Sequence, residues 1–379
     1  MIKMLTAYCT EIDDVDGAIT DILSQIDTTK LLANSVGLLS CHYEFIDSGV
    51  VAALQERLPF DILGYTTMAS AARGQYSVYS LAFTVLTSDD VSFSTAVSRP
   101  LSEFDYKNPI RDAYGEALSK LKMKPAFIIS YLPFVSTLSG AVTLECFDKV
   151  AKGIPIWGTV ACNYTGAPEK CQILYKGKGE QHALAMLLLS GHIKPNFFTA
   201  SLPARSVRTY KALITESEGC ILKKVNGIRL RDYFAASGFS EGAEIGTIPL
   251  MVDYGDGNAV ALAIYRFNED GSAIMGGKVP EGASVSIGLI NREGIMETTQ
   301  KTLEQILSGV SSQGLLMCPC EGRYQLMAGD DEIKLIIEKM GDKLPYALGY
   351  SGGELCPSLD REGIYHNRLH NYSLIICSF

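Results

Sequence analysis

The sequence predicts an α/β fold of two domains, with mixed sheets built on repeated βαβ units and linked by antiparallel hairpins. Three observations carry this reading. A strand–helix–strand pattern recurs three times along the chain. Its strands are continuous apolar runs, as in strands buried on both faces. Between the repeats, apolar and polar residues alternate as they do in half-exposed hairpins.

The first unit runs from Val36 (VGLLSCHYEF) through a helix over Val51 to Leu58, then Pro59 and a strand at Ile62 to Thr67. The second starts at Pro125 (PAFIISYLPF), passes a helix over Gly140 to Lys152, then Pro155 and a strand at Ile156 to Thr159. The third starts at Gly314 (GLLMCPCEGR), passes a helix at Asp331 to Met340, then Pro345 and ALGYSGGE at Ala347 to Glu354. Each closing strand ends in Gly followed by a hydroxyl residue within two positions. The third helix shows the period best: Ile333, Ile336, Ile337 and Met340 recur at i, i+3, i+4 and i+7, one apolar face. Asp330 stands where an N-cap belongs and Gly341 where a C-cap belongs. Such crossover units place their two strands parallel.

Three pairs read as hairpins: Gln75 to Thr87 with Val91 to Val97, Cys171 to Tyr175 with His182 to Leu189, and Ala259 to Phe267 with Ser272 to Met275. The last pair is joined by the turn sequence Asn268-Glu269-Asp270-Gly271. Polar and proline residues around 195–205 interrupt the pattern and mark the expected boundary, giving domains 1–200 and 201–379.

Composition bounds the function. Of 379 residues, 47% are apolar and 20% charged, enough for a large core. The net charge of −9 argues against nucleic acid and against an anionic membrane surface. No apolar run approaches the roughly 18–20 residues of a spanning helix, and Met1 to Thr10 lacks the long apolar region and cleavage site of a signal peptide. A cytoplasmic location is expected. Ten cysteines are scattered, mostly within apolar runs, and read as reduced core residues. The isolated Cys318-Pro319-Cys320 has no second pair nearby, so no metal site is expected.

Five segments, in order, resemble the FIST family. LPFDILGYTTMAS (Leu58 to Ser70) is similar to a turn of the FIST N-terminal domain. GKVPEGASVSIGL (Gly277 to Leu289), LLMCPCEGRYQLMAG (Leu315 to Gly329), ALGYSGGELCP (Ala347 to Pro357) and LHNYSLIICSF (Leu369 to Phe379) follow the C-terminal domain in order and spacing. The family's Cys-x-Gly-Arg motif is spread here over Cys318-Pro319-Cys320-Glu321-Gly322-Arg323, so either cysteine can match. The resemblance implies a prokaryotic-type sensory module that binds a small ligand such as an amino acid. It also implies a partner in trans: a histidine kinase, a chemoreceptor or a cyclic-dinucleotide enzyme. A subset of the family resembles haem-binding nitric-oxide sensors. No cofactor is expected on the main reading, and haem is the alternative.

Site residues follow from where ligands bind in open α/β sheets, outside the carboxyl ends of parallel strands. Thr66 and Thr67, Thr159, and Tyr350 and Ser351 stand at such ends, with Asn163 and Cys318 beside them. Arg323 and Glu354 are placed to flank one crevice, where a guanidinium fork and a carboxylate would hold a zwitterion; the alternative is a salt bridge between them. His182, opening the apolar strand from Ala183, is the candidate haem ligand. No G-x-S-x-G, H-E-x-x-H or P-loop occurs, so a binding module is expected rather than an enzyme. A cysteine-dependent enzyme using Cys318 with His370 is the weaker alternative.

Overall fold

The structure, a computed structural model, describes residues 2–239, 245–309, 312–327 and 330–379. The last two residues of the Leu315 to Gly329 motif, 328 and 329, lie outside the described residues.

The chain traces one pattern three times: strand, helix, strand, helix, parallel strand, short hairpin, strand. The first repeat comprises β1 (Lys3–Cys9), α1 (Val15–Gln25), β2 (Asn34–Cys41), the single-turn α2 (Glu44–Asp47), α3 (Val50–Arg57), β3 (Ile62–Thr66), the hairpin β4 (Ser70–Ala72) and β5 (Gln75–Ser77), and β6 (Leu81–Ser88). The second comprises β7 (Val91–Val97), α4 (Lys107–Ser119), β8 (Phe127–Leu132), α5 (Gly140–Ala151), β9 (Ile156–Val160), the hairpin β10 (Ile173–Tyr175) and β11 (Lys178–Glu180), and β12 (Ala185–Gly191).

The third repeat opens with β13 (Asn196–Ala200) and is interrupted by an insertion. The insertion carries β14 (Ala212–Glu218), β15 (Ile221–Val225), β16 (Ile228–Arg229), α6 (Leu230–Ala236), β17 (Leu250–Asp253), β18 (Ala259–Leu262), β19 (Ile264–Phe267), β20 (Ala273–Met275) and β21 (Ser284–Ile287). The repeat then resumes with α7 (Arg292–Gly309), β22 (Leu315–Pro319), α8 (Glu321–Met327), α9 (Asp331–Met340), β23 (Tyr346–Gly349), the hairpin β24 (Glu354–Leu359) and β25 (Tyr365–His370), and β26 (Leu374–Ser378).

Each predicted crossover unit forms. β2 and β3, β8 and β9, and β22 and β23 pair in parallel. The last strand of each repeat inserts antiparallel beside the first strand of its unit, so the sheets are mixed. The hairpins are exchanged in a ring. The hairpin β4–β5 of the first repeat completes the sheet of the third, β10–β11 of the second completes the first, and β24–β25 of the third completes the second. Strands from either side of residue 200 therefore share two of the three sheets.

The inner faces of these sheets meet in one apolar core, which holds Leu38, Tyr65, Ile129, Trp157, Leu187, Leu316 and Ile375. Helix pairs α1–α3, α4–α5 and α7–α9 cover the outer faces over separate apolar layers. Both faces of the central strands are thus dry, and their apolar runs are unbroken. The insertion folds on its own core and its sheet is wholly antiparallel.

Two hairpin expectations fail. β6 pairs with β1 and β2 while β7 pairs with β12, because the chain changes sheets across Asp89-Asp90. β10 turns back on β11 rather than reaching the strand from Ala183. The Ala259 to Met275 pair does form, as β19 with β20. At α9, Gly341 ends the helix as expected, its N–H on the Ile337 carbonyl at 2.9 Å. Asp330 makes no side-chain cap and instead holds Lys334 at 3.3 Å.

Candidate functional site

The three Gly turns converge at one end of the shared core. Gly64 and Gly158 are there for the backbone: a Cβ on either would run into the carbonyl oxygen of Leu39 or Ser130 on the neighbouring parallel strand. The hydroxyls beyond them serve the protein itself. Thr67 Oγ1 donates to the Tyr350 carbonyl at 2.9 Å, and Thr159 Oγ1 to Ser351 Oγ at 2.5 Å. Thr66 Oγ1 accepts from the Gln172 N–H at 2.8 Å. The Gly352 N–H donates to the Val160 carbonyl, and the Val160 N–H to that of Gly353, both at 2.9 Å.

Thr66, Thr67, Thr159, Tyr350 and Ser351 are all fully buried. The structure brings them together, as the sequence suggested, but as a stitched seam rather than a ligand wall. Asn163 shapes its own turn, accepting from Thr165 and donating to the Ala167 carbonyl and the Cys171 thiol. Cys318 is buried against the Tyr65 hydroxyl at 3.4 Å, and burial pushes its thiol well up. That is the opposite of what a nucleophilic cysteine needs. Its expected pairing with His370 is not among the described contacts.

Arg323 and Glu354 require correction. Arg323 lies in α8, not at a strand end, and its five N–H donors are committed. Nε and Nη2 hold the Glu332 carboxylate at 3.0 and 2.6 Å, Nη2 also reaches Thr299 Oγ1 at 2.8 Å, and Nη1 bonds the carbonyls of Ala200 and Tyr372. Arg323 and Glu332 are both excluded from solvent. No donor remains for a ligand carboxylate, and the partner is Glu332 rather than Glu354. The signal for it was in the sequence: Glu332 shares the apolar stripe of α9 with Ile336 and Met340 at i+4 spacing.

Glu354 is fully buried at the start of β24, with Oε2 accepting from the Ser373 N–H at 3.3 Å and Oε1 without a partner. Burial holds its carboxyl well above the usual range despite the nearby Cys320 thiol and Ser373 N–H. Sealed from solvent, Glu354 presents no carboxyl face to an incoming ammonium, so the zwitterion clamp is lost at both ends.

His182 also changes role. It is exposed, at φ 59°, in the turn before β12, and its carbonyl accepts from the Leu101 N–H at 2.7 Å. It faces no cavity. The buried imidazoles are His42 and His370, and neither lines the cleft described next. The residues present do not fit a haem held by His182.

The opening that sequence reasoning missed is a cleft of about 530 Å³ between the second repeat and the insertion. One wall is the loop 133–139 with the start of α5, at the carboxyl end of the parallel pair β8–β9. The other is Cys220, Tyr265, Ile274, Met275 and Gly276 of the insertion, with Gly352 and Leu369 between them. In the other repeats the matching position holds a helical turn, α2 or α8. In the second it holds only a loop closed by a Val135–Leu138 bridge, so space remains.

Ser139 fixes this loop twice: its Oγ accepts from the Ala141 N–H at 3.2 Å, capping α5, and from the Cys220 thiol at 3.6 Å. Tyr265 is largely exposed, and Cys320, Glu354 and Glu321 lie near its hydroxyl. A second cavity of about 240 Å³ adjoins at Leu369. There Lys278 of the insertion meets Glu145 of α5 at 2.6 Å, and Arg368 holds Asp256 at 2.9 Å while lying over the Tyr254 ring. The Lys278 and then Lys149 ammonium groups hold the Glu145 carboxyl below its usual range.

Fold and cleft together are those of an α/β protein in which an antiparallel insertion closes over a triplicated core. The FIST N domain model matches residues 35–228 and the FIST C domain model residues 229–357. The chain belongs to the FIST family, whose domains are associated with sensory signal transduction. No curated protein matches it. Among solved structures it is similar to a cyanuric acid hydrolase described as an innovation by structural concatenation, at 6% identity and TM-score 0.33, covering 100% of this chain and 98% of that one. A cyanuric acid hydrolase from A. caulinodans is similar at 7% identity and TM-score 0.34, covering 100% and 99%. At such scores neither likeness bears on activity. No helix among the described residues is long and apolar enough to cross a membrane.

Proposed function

We propose that this chain is a sensory module that binds a small molecule in the cleft between its second repeat and its insertion, and that it signals to a separate partner. The observation that carries this reading is the construction of the cleft. One wall belongs to the core and the other to the insertion, so a ligand spanning them would bias how the two parts sit. The volume of about 530 Å³ falls in the range of small-molecule sites, which favour such junctions. The family's association with signal transduction supplies the output. Cys318, the nucleophile of the enzyme alternative, is buried beside the Tyr65 hydroxyl with its thiol pushed up, which favours binding over cysteine catalysis.

The test is native mass spectrometry of the protein as isolated, repeated on Ile274→Trp, which fills the cleft from β20. A retained small molecule in the parent that is absent from the variant is the expected result. Retention unchanged in a folded variant would move the site elsewhere.

A further inference from the structure

We infer that the cleft takes an uncharged, largely apolar small molecule and discriminates against charged forms of the same skeleton. This rests on the cleft being the ligand site. The body of the ligand would lie against Phe134, Leu138, Ile274, Met275 and Leu369. Polar contact would come from the hydroxyls of Ser136 and Thr137 at the rim.

The reason is what the walls lack. Among the described residues, no Asp, Glu, Lys, Arg or His lines the cleft. Its titratable side chains are the Cys220 thiol and the Tyr265 phenol, groups that are neutral near pH 7. The adjoining cavity carries Lys278 paired with Glu145, Arg368 paired with Asp256, and Asp148 held by the Asn367 amide, while Glu321 and Glu354 lie towards the Tyr265 hydroxyl without lining the cleft. An ion entering the cleft would shed hydration with no countercharge to replace it, whereas an apolar body gains from burial. The α5 N-terminus does not reverse this order. Its Ala141 N–H is already taken by Ser139 Oγ, and a helix dipole at a site open to water is a weaker effect than the loss of an ion's hydration.

A matched series tests this: indole, tryptamine, indole-3-acetate and tryptophan, which present one ring system as a neutral molecule, a cation, an anion and a zwitterion. Affinity is measured by calorimetric titration. Occupancy is mapped by the rate of Cys220 alkylation, read by mass spectrometry, with Cys146 as an internal control that is similarly part-exposed but off the cleft. Indole is expected to bind at least tenfold tighter than each charged analogue. It should also slow alkylation of Cys220 but not of Cys146, and Ile274→Trp should abolish both effects. Equal or tighter binding of tryptophan or either ion, with Cys220 still protected, overturns the inference and leaves the site standing. Absence of indole binding at millimolar concentration also overturns it. Tight binding that leaves Cys220 unprotected and ignores Ile274→Trp overturns the site itself.

Discussion

Arg323 in α8 and Glu332 in α9 face each other at 2.6 Å with no solvent on either side. Through Ala200, Thr299 and Tyr372, the same guanidinium ties together β13, α7 and the chain between β25 and β26. It is the polar hub of the third repeat.

Removing one partner from a sealed ion pair strands the other, and the cost is typically about 3–5 kcal/mol. Arg323→Leu should therefore lower the urea midpoint severely. Arg323→Leu combined with Glu332→Leu should recover a substantial part of the loss, because no unpaired charge remains. Denaturant unfolding of the two single variants and the double variant checks this. Additive losses would show that the pair does not act as a unit.

The seam of Gly turns should be a stability element with no binding role. Thr67→Val removes the donor to the Tyr350 carbonyl in a fully buried place, where a stranded acceptor costs about 1–3 kcal/mol. Thr159→Val and Ser351→Ala should each destabilise, and together by less than their sum, since both act through one 2.5 Å contact. Thermal unfolding gives the coupling. Ligand affinity in the surviving variants should match the parent.

His370 should make stability pH-dependent on the acid side. Burial lowers its pKa from 6.5 to about 4, so the folded chain keeps the ring neutral while the unfolded chain protonates it. The sign follows: its contribution is fully present above about pH 6.5 and is lost as pH falls towards 4. The slope is at most about 1.4 kcal/mol per pH unit. His370→Asn should flatten the unfolding free energy between pH 6.5 and 4 relative to the parent, whatever it does to the absolute value. An unchanged slope would mean that His370 titrates normally in the folded state.

The local elements were legible in the sequence because their signals are local. Continuous apolar runs fixed the central strands. The 3.6-residue stripe fixed α9. Glycine and proline marked where each parallel strand ended and began. The three-fold recurrence of this pattern was visible without any contact information. The partners were not. A backbone edge accepts any strand through the same N–H and C=O groups, so nothing in Ser70–Ala72 says that it will close the sheet of β23, some 275 residues away, rather than its own. Arg323 reads the same way in sequence whether its fork meets a ligand or Glu332. Only packing, which brings α9 against α8 and seals both from water, makes it structural. The cleft is likewise a product of assembly. It exists because loop 133–139 forms no helical turn there and because an insertion more than 60 residues further along the chain folds back over it. Sequence alone determined the repeated βαβ elements, through short-range periodicity and steric rules. The tertiary structure decided which strands pair, which charges are spent, and where space is left, because those depend on free energies of burial shared between residues far apart in the chain.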